Sequence, residues 1–165
     1  MCKSILHEKP VLLGVSFGGV LVQEMAKYIS VRKIIIISSV KNKMELPLPM
    51  KMAQKTNLHK LLPIQWIKNI DSLVLFAFGK RIKRRLELYQ RYLSERDPDY
   101  LYWAINSLVH WDQIQIPANI LHIHGASDTV FPIKNLSKPI IKIKGGHAAI
   151  ITQANWFNTE LPKLL

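Results

Sequence analysis

The chain has 165 residues, 48% of them hydrophobic, and a formal net charge of +12. That size and apolar content suit one domain with its own core and exclude a disordered chain. Cys2 is the single cysteine, which excludes an intramolecular disulfide, and no run of about 18 apolar residues offers a membrane span.

Residues 1–7 hold no long apolar segment and no small-residue cleavage site, so no signal peptide is predicted and a cytoplasmic location is expected. The first apolar run, Val11-Leu12-Leu13, reads as a buried strand over 11–15. Gly14-Val15-Ser16-Phe17-Gly18 follows and leads into a helix predicted over 17–29, with Leu21, Met25 and Ile29 on one face. A serine flanked by glycines between strand and helix is the pattern of a nucleophile elbow. The turn is sharp, and Gly14 and Gly18 are expected to remove side chains that would clash there. The serine oxygen then stands at a helix N-terminus, whose backbone N–H groups favour developing negative charge. The ordinary alternative is a serine that only caps the helix.

Lys33 to Ser38 carries four consecutive isoleucines and is the clearest strand in the chain. Strand, helix and strand at this spacing make a βαβ unit. Residues 40–110 change character. They have no comparable aliphatic run, and Pro47, Pro49 and Pro63 punctuate helices predicted over 50–60, 64–71, 72–78, 80–94 and 98–109. Trp66, Phe76, Phe78, Tyr89, Tyr92, Trp103 and Trp111 could line an apolar pocket, though each alone reads as ordinary core. The densest basic cluster is 80–85. Basic residues are spread along the whole chain, and the cluster lacks interleaved aromatics, so a solvated face is expected and a nucleic-acid partner is not.

A strand is predicted over 118–124, and the loop Ala126-Ser127-Asp128 follows it. Another is predicted over 139–144, and Gly145-Gly146-His147 follows that. Ser16, Asp128 and His147 therefore each sit just past a strand end, where ligand chemistry collects in open parallel sheets. Asp112 is a rival acid, but it precedes a strand and belongs at the other edge. His122 and His124 alternate with aliphatics and read as packed, hydrogen-bonded histidines. His7, His59 and His110 have no metal-site spacing, and no dinucleotide or phosphate-loop glycine pattern occurs, so no cofactor is expected. Residues 148–165 read as a closing helix limited by Pro162.

The segments GVSFGG at 14–19, HIHGASDTVFP at 122–132 and KGGHAAI at 144–150 together resemble the α/β-hydrolase fold family of serine hydrolases. The resemblance implies a partial α/β-hydrolase fold. Its mostly parallel sheet would have about four strands flanked by helices, in one domain over 1–165 with 40–110 as a helical cap insertion. It implies Ser16 as nucleophile, His147 as general base, Asp128 as the acid that orients it, and the Phe17 N–H as an oxyanion donor. The substrate would be a small ester or related acyl compound.

The chain departs from the family in having no strands and no oxyanion loop before the elbow strand, so it resembles an N-terminally truncated member. Strand 11–15 is then an exposed edge, which predicts self-association or pairing with a complementing N-terminal segment. The competing expectation is an impaired or non-enzymatic remnant that binds a ligand or a partner.

Overall fold

The computed structural model describes residues 2–56 and 97–165. Four strands form one sheet in sequence order: β1 (Val11–Val15), β2 (Lys33–Ile37), β3 (Ile120–Gly125) and β4 (Ile141–Ile143). All neighbours pair in parallel, with Leu12 opposite Ile34, Ile36 opposite His122 and Ile123 opposite Ile141. Helix α1 (Phe17–Met25) links β1 to β2. Helices α2 (Leu48–Thr56) and α3 (Pro98–Val109) follow. The chain closes with α4 (Ala149–Thr152) and α5 (Ala154–Leu164).

The chain divides into two compact units, Met1–Leu46 with Asp112–Leu165, and Pro47–Trp111. The first holds the whole sheet. Within the second, α2 packs on α3, and Asp97 caps α3 by accepting from the Asp99 N–H at 2.8 Å. The predicted helices at 64–71, 72–78 and 80–94, the basic cluster at 80–85, His59, and Trp66, Phe76, Phe78, Tyr89 and Tyr92 lie outside the described residues. Among the described residues no helix is long and apolar enough to cross a membrane.

The isoleucine strand is apolar because both its faces are covered. Ile35 and Ile37 pack with Ile123, Ile143, Ala149 and Phe157 on one side. Ile34 and Ile36 pack with Leu12 and Val22 on the other, supported by Met25 and Ile29. Each such side chain contributes about 1.5–3 kcal/mol by leaving water, before its lost conformational entropy is subtracted.

The larger differences from the boundaries read in the sequence have physical reasons. Helix α1 stops at Met25, and the chain then tightens into turns through Lys27 N–H to Glu24 O and Tyr28 N–H to Met25 O. Strand β3 starts at Ile120, because a turn bond from Ile120 N–H to Pro117 O holds residues 117–120. Strand β4 starts at Ile141. Pro139 has no N–H to give, and its carbonyl is engaged by Lys41 Nζ at 3.4 Å. The closing helix is broken at Gln153, whose ψ of 34° separates α4 from α5. Pro162 falls in the last turn of α5.

Candidate active site

Ser16 follows β1 directly and precedes α1, with φ 53° and ψ −123°. A non-glycine residue rarely adopts that backbone, and the surrounding bonds hold it there. Ser16 N–H donates to Ile37 O at 2.9 Å, and Gly19 N–H donates to Ser16 O at 2.9 Å. The steric need for glycine is at 14 and 19. A Cβ on Gly14 would lie 2.6 Å from Gly19 N and closer still to the Gly18 carbonyl. One on Gly19 would lie 2.5 Å from Ser39 Cβ. Gly18 corrects the sequence expectation, because nothing among the described residues lies within 4 Å of its Cβ position.

Asp128 sits in the loop after β3. Its side chain is fully buried, and its Oδ1 accepts from Val130 N–H at 2.8 Å and Phe131 N–H at 3.0 Å. His147 stands beyond β4, after Gly145 at φ +113°, a backbone that favours glycine. The sheet order brings the three loops to one edge. His147 Nδ1 donates to Asp128 Oδ2 at 2.9 Å, and Ser16 Oγ donates to His147 Nε2 at 2.8 Å. A carboxylate only accepts, so it fixes the proton on Nδ1 and leaves Nε2 as the acceptor facing the serine. Phe17, whose N–H is the expected oxyanion donor, is the first residue of α1, directly after Ser16.

Burial alone would raise the Asp128 pKa. Hydrogen bonds from His124 and His147, the charge of His147 and the Phe131 N–H outweigh it and hold the carboxyl below its ordinary value.

His124 and His122 are both buried, as read from the sequence, but their contacts reach the site. His124 Nε2 lies 2.9 Å from Phe131 O and 3.2 Å from Asp128 Oδ2, and His124 Nδ1 lies 3.0 Å from His122 Nε2. Burial, and then the neighbouring His124 and Lys41, push the His122 pKa down to about 3. An unfolded histidine titrates near 6.5. The unfolded chain therefore binds a proton that the folded chain refuses, and stability is lost as pH falls from about 6.5 towards 3. The slope from this one group reaches about 1.4 kcal/mol per pH unit. Urea midpoints measured from pH 7 to pH 4 are expected to fall steeply in the wild type and less steeply in His122→Leu. Equal slopes would contradict a neutral, buried His122.

The other sequence candidates stand apart. Asp112 precedes β3. With Lys27, Ile114 and Ile116 it lines a surface bay of about 660 Å³ that contains none of Ser16, Asp128 and His147. His7 is exposed, and His110 Nδ1 bonds Asn106 O at 2.9 Å. Among the described residues no three side chains gather as metal ligands.

Sequence reasoning missed a polar clamp that joins the segment after β2 to the segment before β4. Glu45 accepts from Lys41 N–H at 2.6 Å, from Ser137 N–H at 2.9 Å and from the Ser137 hydroxyl. The buried Lys41 ammonium donates to Ser137 O. Burial lowers the Lys41 pKa, while Glu45 opposes the shift.

No family model matches the chain, and no curated protein matches it. Solved structures do. A lipase-esterase related protein from Clostridium acetobutylicum ATCC 824 matches with a TM-score of 0.66 and 20% identity, over 97% of this chain and 68% of that one. A hydrolase from Pseudomonas aeruginosa PA01 matches with a TM-score of 0.65 and 15% identity, over 93% and 63%. A 2-hydroxy-6-oxo-6-phenylhexa-2,4-dienoate hydrolase from a Rhodococcus strain matches with a TM-score of 0.58 and 16% identity, over 94% and 63%. These are α/β-hydrolase fold proteins, and this chain has that fold. It spans about two-thirds of the length of each.

Proposed function

We propose that the chain is a serine hydrolase acting on a small ester or related acyl substrate. The observation that carries this reading is the relay of Ser16 Oγ, His147 Nε2 and Nδ1, and Asp128 Oδ2, joined at 2.8 and 2.9 Å. His147 takes the proton of Ser16 as its oxygen attacks the substrate carbonyl. Asp128 keeps the imidazole in the reactive tautomer and stabilises its charged form. The Phe17 N–H at the start of α1 faces the developing oxyanion. The leaving alcohol takes the proton from His147, and water, activated by the same ring, releases the acyl group. In this reading residues 40–110 act as a helical cap. The fold supports hydrolysis without specifying the substrate, since one fold hosts many chemistries.

The test is a rapid-mixing assay with short-chain aryl esters. A burst of phenol stoichiometric with protein is expected, followed by slower turnover. Release no faster than from Ser16→Ala would contradict the acyl-enzyme.

The sheet carries a second expectation. Among the described strands β1 pairs with β2 alone, and Leu13 at its centre is 41% exposed. The run Val11-Leu12-Leu13 has no charge or proline to discourage strand addition. The purified chain is expected to self-associate in analytical ultracentrifugation, and Leu13→Lys to shift it towards monomer. A wild type that is monomeric at all concentrations would contradict an open edge.

A further inference from the structure

We propose that His124 is a positioning residue for Asp128, a second imidazole that shares the carboxylate oxygen bonded to His147 and so sets both the aim and the strength of that pair. The inference rests on the relay reading of Ser16, His147 and Asp128.

His124 Nε2 faces two atoms that only accept, Phe131 O at 2.9 Å and Asp128 Oδ2 at 3.2 Å. Nε2 therefore carries hydrogen whether the ring is neutral or charged. Asp128 Oδ1 is already held by Val130 and Phe131 N–H. Oδ2 is thus the oxygen left for imidazoles, and it meets two: His147 Nδ1 at 2.9 Å and His124 Nε2. His124 has no accessible surface, so water cannot replace its donor. It is held from behind by His122, 3.0 Å from its Nδ1.

Among the described residues, the titratable and charged groups around His124 come from four segments. They are Asp128 after β3, His147 after β4, His122 on β3 itself, and Lys41 after β2, whose charge is felt at His122. Among the described residues, Asp128 is the anion that faces the ring.

Two consequences follow. His124 fixes the carboxylate plane, so Oδ2 cannot rotate away from His147. It also draws on the charge of Oδ2, so less of that charge is available to stabilise a protonated His147. Removing the donor leaves more negative charge facing His147, which favours the protonated ring. The acid limb of any reaction that needs neutral His147 then moves to higher pH.

The experiment follows the rate at which a fluorophosphonate modifies Ser16, from pH 5 to pH 9, in wild type, His124→Phe and His124→Gln. The phenyl ring fills the space with no donor. The glutamine amide presents a hydrogen near the place of Nε2. His124→Phe is expected to react about 10-fold or more slowly, the scale of one hydrogen bond to a charged group, and its acid limb is expected to shift upward by about half a unit or more. His124→Gln is expected to recover the wild-type limb. A His124→Phe profile superimposable on wild type would overturn the proposal while leaving the hydrolase reading intact. Failure of the wild type itself to react would overturn that reading instead. Should His124→Phe not fold, ¹⁵N-histidine correlation spectra of the wild type decide the matter. A His124 with Nε2 protonated is expected, and a bare Nε2 would overturn the proposal.

Discussion

Ser16→Ala is expected to lower aryl ester hydrolysis by about 10³-fold or more, the scale seen when a relay of this kind loses its nucleophile. The geometry sets that expectation. Ser16 Oγ is 2.8 Å from His147 Nε2, and in the proposed reading attack and proton transfer act as one unit. His147→Ala is expected to cost about as much, and the double variant no more than either alone, because residues acting as a unit are not additive. Asp128→Asn keeps the shape but supplies an amide where His147 needs an acceptor, so a loss of about 10⁴-fold is the upper expectation. Steady-state rates of the four proteins check this. Additive losses in the double variant would mean that Ser16 and His147 act separately.

Gly14→Ala is expected to cost about 3 kcal/mol or more of stability and to abolish any activity. The new Cβ would run into the Gly18 carbonyl and Gly19 N, which are backbone atoms of the elbow itself. They cannot yield without displacing Ser16, whose φ of 53° depends on the bonds around it. Gly18→Ala provides the contrast. Its Cβ position meets nothing among the described residues within 4 Å, and it lies in the first turn of α1. A gain of about 0.5–1 kcal/mol is expected there, because alanine loses less backbone entropy on entering a helix. Urea unfolding of the two variants is expected to move the midpoint in opposite directions. A Gly14→Ala protein as stable as wild type would contradict the tight elbow.

The contrast between Gly14 and Gly18 also marks where the sequence is legible. Strand β2 is legible because it is buried on both faces and reads as the aliphatic run Ile34–Ile37, while β1, β3 and β4 show as shorter apolar stretches. The pairing of β1 with β2 follows from the short strand-helix-strand connection between them, whereas β2 and β3 are joined across residues 38–119. Parallel strands end at one edge, so the loops bearing Ser16, Asp128 and His147 can be placed there without coordinates. Which glycine of Gly18-Gly19 is sterically required is not legible, because the answer lies in Ser39, on the far side of β2. The Glu45–Ser137 bonds and the bond from Gln113 to Gln23, at 2.9 Å, join residues separated by 92 and 90 positions, and no local pattern announces them. His124 falls between these cases. Its strand and its burial are legible, but its contact with Asp128 depends on how the loop after β3 folds back. The break at Gln153 is similarly hidden, because no proline or glycine marks it.

The proposed hydrolase requires an activated serine at position 16. The most direct measurement is mass-spectrometric mapping of the adduct after a fluorophosphonate is added at neutral pH. One phosphonate per chain is expected, on Ser16, formed in the wild type and absent from Ser16→Ala and His147→Ala. No adduct at high probe concentration, or an adduct spread over other serines and unchanged in those variants, would contradict it.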